Sequence, residues 1–123
     1  MKATELRIGN WLIDKRYTHD SENGRFKVHV RDLQYLTDIK ESNECDFEPI
    51  PLTEEILLKC GFKKKRGDKF VLPRSFFNIW KIDNLTQNDY AFCYYCLQVN
   101  LKYLHQLQNL YWCLTGQELE INL

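Results

Sequence analysis

Cys93 and Cys96 enclose two tyrosines and form the pattern with the clearest potential for metal or redox chemistry. A zinc site needs both thiolates on one ion, and a redox pair needs its first cysteine at the amino terminus of a helix. The flanking residues favour a strand, in which residues three apart point to opposite faces. Cys113 and His105 would make a poor second ligand pair, so structural zinc is the lesser alternative. We expect no metal, no cofactor and free thiols at Cys45, Cys60, Cys93, Cys96 and Cys113.

Acid–base catalysis near neutral pH has three candidate histidines, His19, His29 and His105. The chain has no nucleophile elbow, no glycine-rich phosphate loop and no zinc-protease helix motif. The adjacent carboxylates Glu54 and Glu55 are accounted for by the start of a helix, where the helix dipole favours negative charge. We therefore expect no catalytic residue and a chain that is not an enzyme.

A basic segment followed by aromatic residues has the composition of a surface that stacks single-stranded nucleic acid. Residues 63–81 contain seven basic side chains and one acidic, whereas residues 38–55 contain seven acidic and one basic. The candidate nucleic-acid contacts are Lys63, Lys64, Lys65, Arg66 and Lys69. The aromatic residues are Phe70, Phe76, Phe77 and Trp80. Alternatively, these aromatic residues are core, the lysines form a solvated hairpin tip, and the acidic loop neutralises them.

The reverse face of the second predicted helix is uncharged, which is unusual for a helix surface. Residues 104–115 include no Lys, Arg, Asp or Glu. His105, Asn109 and Trp112 follow the i, i+4, i+7 spacing of one face, with Gln108 beside them. Two alternatives remain for what covers this face of the helix. Either the chain's own hairpin or acidic loop packs over this face, with His105 as a hydrogen-bonded core histidine, or the four residues form a protein interface anchored by Trp112.

These side chains need a folded scaffold, and the composition supports one. The chain has 123 residues, of which 44% are hydrophobic and 14% aromatic. This apolar content excludes a disordered chain, and the length matches a single domain over residues 1–123 with one core. The 17 basic and 17 acidic residues balance, which excludes a global attraction to nucleic acid or to anionic membranes.

The first predicted helix has signals at both ends. Thr53 is the predicted N-cap, and Leu52 and Leu57 have the spacing of a hydrophobic staple. Gly61 is the predicted left-handed stop, which places Phe62 over Leu57. The helix is short, about two turns, so tertiary packing must hold it.

Strand patterns surround this helix. Asn23-Gly24 is a tight-turn signal, and the alternation on both sides of it predicts an antiparallel hairpin over residues 4–36. Residues 63–69 are predicted as a polar turn. Further short strands are predicted at residues 70–72, 76–82 and 90–99.

A second, longer helix is predicted from about Leu101 to Gly116, with a final strand over residues 119–123. The element order is then ββαβββαβ, with mostly short connections. This order predicts an α+β fold with an antiparallel, curled sheet, one short helix and one longer helix.

The sequence favours a cytoplasmic protein. Its apolar runs are far shorter than the roughly 20 residues that a membrane-spanning helix needs. The amino-terminal residues lack the apolar run of a signal peptide. Five irregularly spaced cysteines do not make a closed disulfide framework, so we expect reduced thiols and no membrane partner.

Three stretches of the chain resemble a known family when they are taken together. They are Leu-Arg-Ile-Gly-Asn-Trp at 6–11, Pro-Ile-Pro-Leu-Thr-Glu-Glu-Ile-Leu-Leu-Lys-Cys-Gly-Phe at 49–62, and Tyr-Leu-His-Gln-Leu-Gln-Asn-Leu-Tyr at 103–111 with Leu-Thr-Gly-Gln-Glu-Leu at 114–119. The chain is similar in these motifs to a family of small uncharacterised proteins from Bacteroidetes bacteria and their phages or mobile elements. The resemblance implies a bacterial or phage intracellular protein and carries over no activity, cofactor or site.

Two functions of different kinds follow as hypotheses. The first is a non-catalytic protein-interaction module of bacterial, phage or mobile-element origin, which binds another protein or a second copy of itself. The alternative is a weak single-stranded nucleic-acid-binding protein that uses the basic and aromatic residues of 63–81. Salt separates the two, because each phosphate contact releases counterions and makes nucleic-acid binding weaken steeply as salt is added.

Overall fold

Eight strands and three α-helices are formed by residues 5–17, 24–38, 47–83, 88–95 and 97–123, which are the residues that the structure, a computed structural model, describes. The helices are α1 (Val30–Asp38), α2 (Glu54–Lys59) and α3 (Leu104–Thr115), and a 3-10 turn lies at Lys15–Tyr17. The strands are β1 (Trp11–Asp14), β2 (Arg25–Lys27), β3 (Phe47–Pro49), β4 (Lys63–Lys65), β5 (Lys69–Val71), β6 (Asn78–Asp83), β7 (Asn88–Tyr94) and β8 (Leu97–Leu101). The strand pairings are antiparallel. The predicted α+β class with antiparallel strands is confirmed.

The chain divides into two compact units, each made of segments that are far apart in sequence. The first unit contains Met1–Ile50 and Tyr103–Gly116, and the second contains Pro51–Lys102 and Gln117–Leu123. Each unit has its own antiparallel sheet, a division that the sequence patterns do not indicate. The single domain over residues 1–123 stays a prediction.

In the first unit, β1 is the central strand of a three-stranded sheet with the order β2-β1-β3. Leu12 of β1 is buried in a hydrophobic cluster with Val28 and Phe47. The Phe47 ring lies 4.8 Å from the ring of Phe26 and 5.1 Å from that of Tyr35 on α1, measured between centroids. Aromatic rings around Phe47 therefore contribute to the packing against this small sheet.

The predicted hairpin over residues 4–36 is corrected at its second strand. β2 ends at Lys27, and the chain then enters α1. The His29 backbone N–H donates to the Asp32 carboxylate at 2.8 Å, which is one half of a capping box. Leu33 packs against the hydrophobic cluster of the first sheet. This cap and this contact overcome the strand-like alternation of the preceding residues.

The second unit contains a five-stranded meander with the order β4-β5-β6-β7-β8. Phe70, Ile79 and Phe92 are paired in register across β5, β6 and β7, and each is at most 1% exposed. We call the side of the sheet that carries these residues the inner face. The opposite side, the outer face, presents the alternate residues of the same strands.

The polar turn predicted over residues 63–69 is shorter in the structure. Lys63–Lys65 form the edge strand β4, which pairs with β5. The turn itself contains Gly67 and Asp68, with left-handed φ values of 74° and 58°. A lysine-rich strand has low intrinsic β propensity, so the pairing with β5 rather than the composition makes this segment a strand.

The signals predicted for α2 are confirmed. The Thr53 hydroxyl accepts from the Ile56 N–H at 3.2 Å as the N-cap. Gly61 has a left-handed φ of 92°, and the Phe62 N–H donates to the Leu57 carbonyl at 3.1 Å. These bonds satisfy the last carbonyls of the helix, as in a Schellman motif.

The carboxy-terminal part differs from the prediction at two places. β8 continues through Leu101, so the last helix begins at Leu104, where the Tyr103 N–H donates to the Gln106 side chain at 3.1 Å. Residues 119–123 form no strand, although Leu119 is buried at 6% exposure. The Asn122 N–H donates to the Lys59 carbonyl at 3.1 Å, so this tail is bonded to the end of α2.

Among the helices described, none combines the length and the hydropathy needed to cross a membrane.

Candidate functional site

Gln108 on the uncharged face of α3 binds the chain's own amino-terminal segment. Its side-chain oxygen accepts from the Trp11 N–H at 2.8 Å, and its side-chain nitrogen donates to the Gly9 carbonyl at 3.1 Å. The side chain is buried, at 2% exposure. The amide therefore acts as a continuation of the sheet hydrogen bonding at the start of β1.

Asn109 extends the same contact. Its side-chain oxygen accepts from the Asn10 side chain at 2.9 Å, and its side-chain nitrogen donates to the Glu5 carbonyl at 2.9 Å. Asn10 in turn closes a turn, because its side-chain oxygen accepts from the Arg7 N–H at 2.6 Å. The motif at 6–11 thus forms a turn that docks on α3 through paired amides, a role that the sequence patterns did not indicate.

His105 lies on the same helix and is buried, at 2% exposure. Its ring stacks on Tyr103 with a centroid separation of 5.9 Å and an interplanar angle of 9°. Among the described residues its Nδ1 atom has no hydrogen-bond partner, and the predicted hydrogen-bonded core histidine is buried, while its hydrogen bond stays a prediction. Burial lowers the pKa of His105, because the charged imidazolium loses its hydration.

Trp112 is the one member of the predicted protein interface that reaches the surface extensively, at 42% exposure. The Arg7 guanidinium lies 4.8 Å from the centre of its ring, in cation–π geometry. The chain's own amino-terminal segment therefore packs over Gln108 and Asn109, as in the first of the two predicted alternatives. An interface anchored by Trp112 stays a prediction.

The five basic residues proposed as nucleic-acid contacts fall into two groups. Lys64 is paired in register with Phe70 of the inner face, and its ammonium lies 3.3 Å from the Glu54 carboxylate on α2. Lys63, Lys65 and Lys69 belong to the outer face by the alternation of the strands, and Arg66 is exposed in the turn. Within the described part of the chain, Lys64 is the member of this set with an ion-pair partner.

One cross-strand row of the outer face joins a basic edge to an aromatic ring. Lys65 pairs with Lys69, Lys69 with Trp80, Trp80 with Ala91, and Ala91 with Asn100. We call these five residues the outer row. The row crosses all strands of the sheet, a span of about 19 Å at about 4.8 Å per strand.

Trp80 is the aromatic centre of the outer row. It is 38% exposed, whereas its neighbour Ile79 on the inner face is fully buried. The Lys69 ammonium lies 5.0 Å from the centre of the Trp80 ring. The ring is thus partly exposed, with a positive charge over it, whereas the neighbouring Ala91 is 1% exposed; the residues of the outer row include no carboxylate.

The other aromatic residues of this segment divide between core and surface. Phe70 and Phe77 are buried, as the core alternative predicted for them. Phe76 is 42% exposed, and its ring lies 5.1 Å from that of Tyr94. Tyr95 follows at 91% exposure, with its ring 4.6 Å from Tyr94. This exposed aromatic cluster lies at the end of the β7–β8 hairpin and was not found from the sequence.

The described cysteines show no arrangement for metal binding. Cys60 is buried, Cys93 is half-buried and Cys113 is exposed, and all three are free thiols. Burial raises the pKa of the Cys60 thiol to about 12, which makes it unreactive. Cys45 and Cys96 lie outside the described residues. No group of three or more His, Cys, Asp or Glu side chains with metal-site geometry occurs in the described ranges.

Comparison with known proteins adds no relative. No family model matches the chain, and neither the curated proteins nor the solved structures that were searched contain a significant match.

Proposed function

We propose that this chain is a non-catalytic binding protein that holds single-stranded nucleic acid on the outer face of its five-stranded sheet. The observation that carries the proposal is the outer row, in which Lys65 and Lys69 stand in register with the exposed ring of Trp80. The lysines contact phosphates, and the tryptophan stacks on one base. This combination of a positive track and an aromatic platform is the common way of binding single strands.

The arrangement favours an unpaired strand over a duplex. The ring of Trp80 lies on a sheet face, where a base can stack only if its own face is free. Bases inside a duplex are already stacked on each other and present only their edges. Asn100, at the far end of the outer row, is exposed and can donate and accept hydrogen bonds to such an unpaired base.

The charge balance makes the binding weak and local. The chain has a formal net charge of zero, so no long-range field draws nucleic acid toward it. Binding depends on the few lysines of the outer face, and their contribution falls as salt is added.

A salt titration with one double variant tests the proposal. Fluorescence anisotropy of a labelled single-stranded oligonucleotide measures affinity at several salt concentrations. For single strands, each phosphate contact contributes about 0.7 to the slope of log affinity against log salt, so Lys65→Gln with Lys69→Gln should reduce this slope by about 1.4.

Lys64→Gln is the matched control, because Lys64 belongs to the inner face and pairs with Glu54. It removes the same kind of charge one residue away and should leave the slope unchanged. Absence of binding by the wild type at low salt would refute the proposal. Equal losses in Lys64→Gln and in the double variant would show that the outer row has no special role.

We further propose, from the resemblance of the three motifs alone, that the chain works in the cytoplasm of a bacterium, as a bacterial, phage or mobile-element protein. Protein interaction remains a second candidate function, which one specific feature favours: a strand at the edge of the second sheet that carries no charge.

A further inference from the structure

The two edges of the five-stranded sheet differ sharply in charge. The β4 edge consists of three exposed lysines, Lys63–Lys65, which is a common protection of a sheet edge against pairing with other chains. The β8 edge has the sequence Leu-Gln-Val-Asn-Leu and carries no charged residue. It also has no proline and no bulge in its pairing with β7. One edge is therefore protected and the other is open.

Among the described residues, the outer side of β8 has no strand neighbour at Gln98 and Asn100, whereas beyond Leu101 the chain's own Leu52 occupies that side. Just beyond the strand, the Lys102 carbonyl accepts from the Leu52 N–H at 2.9 Å. By the two-residue period of a strand, Gln98 and Asn100 direct their backbone groups to this same side. Among the described residues, β8 has no strand neighbour on that side, and both Gln98 and Asn100 are exposed.

We propose that β8 pairs antiparallel with β8 of a second copy of this chain. The strand is nearly palindromic in residue type about Val99. In that register Val99 faces Val99 of the second copy, Gln98 faces Asn100, and Leu97 faces Leu101. Backbone N–H and C=O groups of Gln98 and Asn100 form the hydrogen bonds between the copies, and no like charges meet.

The second copy is a better occupant of this edge than an unrelated peptide, because the strand is complementary to itself. The same pairing of two β4 edges would place lysine against lysine, which opposes association. The contact also covers apolar surface that is now exposed. Leu97 is 47% exposed and pairs across the hairpin with Tyr94, which is itself 42% exposed. A two-fold axis through Val99 places both outer faces on the same side of one continuous sheet.

Charge substitutions at the two facing positions test both the pairing and its register. Sedimentation equilibrium of the full chain, at the highest soluble concentration, should give twice the 14.8 kDa mass of the monomer. Gln98→Lys with Asn100→Lys places like charges opposite each other and should weaken association by about tenfold. Gln98→Lys with Asn100→Glu places opposite charges across the pair and should preserve the dimer.

The control variant is Glu120→Gln with Asn122→Lys, two exposed positions near the carboxy terminus that give the same change in net charge as the double lysine variant. It should remain dimeric. A monomeric wild type would overturn the proposal, and so would a double lysine variant that stays dimeric. Loss of the dimer in the lysine–glutamate variant would overturn the register centred on Val99. None of these results depends on nucleic-acid binding.

Discussion

His105 is a buried titratable residue at the start of α3. Its Nδ1 atom has no hydrogen-bond partner in the part of the chain that the structure describes, and burial lowers its pKa below the ordinary value of 6.5. The unfolded chain therefore binds a proton more readily than the folded chain. The contribution of neutral His105 to the free energy of unfolding is complete above the pKa that this residue has in the unfolded chain. It is lost as the pH falls from there through the lower pKa of the folded state.

We accordingly expect the free energy of unfolding to fall between about pH 7.5 and about pH 5.5 in wild type, and to fall less in His105→Phe, which cannot titrate. Urea unfolding at the two pH values measures both changes. Asp14 also has a lowered pKa, because its carboxylate accepts hydrogen bonds from Arg16, but its ordinary value of 3.8 lies below this window. Equal pH dependence in the two proteins would contradict the assignment to His105.

The residues on the uncharged face of α3 show what the sequence could and could not reveal at this scale. The absence of charge over residues 104–115 agrees with the burial of His105 and Gln108, whereas Trp112 on the same face is 42% exposed. The absence of charge could not identify the cover, because Gln108 binds Trp11 and Gly9 across nearly the whole length of the chain. An amide offers a donor and an acceptor to any backbone, so its partner follows from the tertiary fold.

At the scale of elements, α2 depends on its cap more than a longer helix would. It spans only Glu54–Lys59, so few of its backbone groups are bonded within the helix. Thr53→Ala removes the acceptor for the Ile56 N–H and should lower the free energy of unfolding by about 1 kcal/mol, within a range of about 0.5–2. Thr53→Ser keeps the hydroxyl and serves as the control. Chemical denaturation that finds the alanine variant as stable as the serine variant would contradict the capping role.

The elements found from the sequence are those whose signals are local. The cap at Thr53 and the stop at Gly61 lie within one short segment, so they could be read directly. α1 was missed because its preceding residues alternate like a strand, and its decisive contact is made by Leu33 with a distant cluster. β4 was missed because three lysines carry no strand signal, and only pairing with β5 defines it.

At the scale of the whole molecule, the fold class could be predicted and the grouping of its strands could not. The alternation of apolar residues and the turn signals are enough to indicate antiparallel strands mixed with helices. Which strands share a sheet depends on contacts between distant segments, as in the first unit, where α3 joins β1 from the other end of the sequence. The outer row could not be predicted for the same reason, because it depends on the register between strands. That register places Lys65 and Lys69 on the outer face and Lys64 on the inner face.

Amide chemical-shift mapping with a short single-stranded oligonucleotide tests directly whether the outer face binds nucleic acid. At low salt, we expect shifts at Lys65, Lys69 and Asn100 and at both the backbone and the indole N–H of Trp80, with the amides of α3 unchanged. The shifts should disappear as salt is added, because the phosphate contacts are electrostatic. Shifts confined to α3, or no shifts at low salt, would contradict nucleic-acid binding on the outer face.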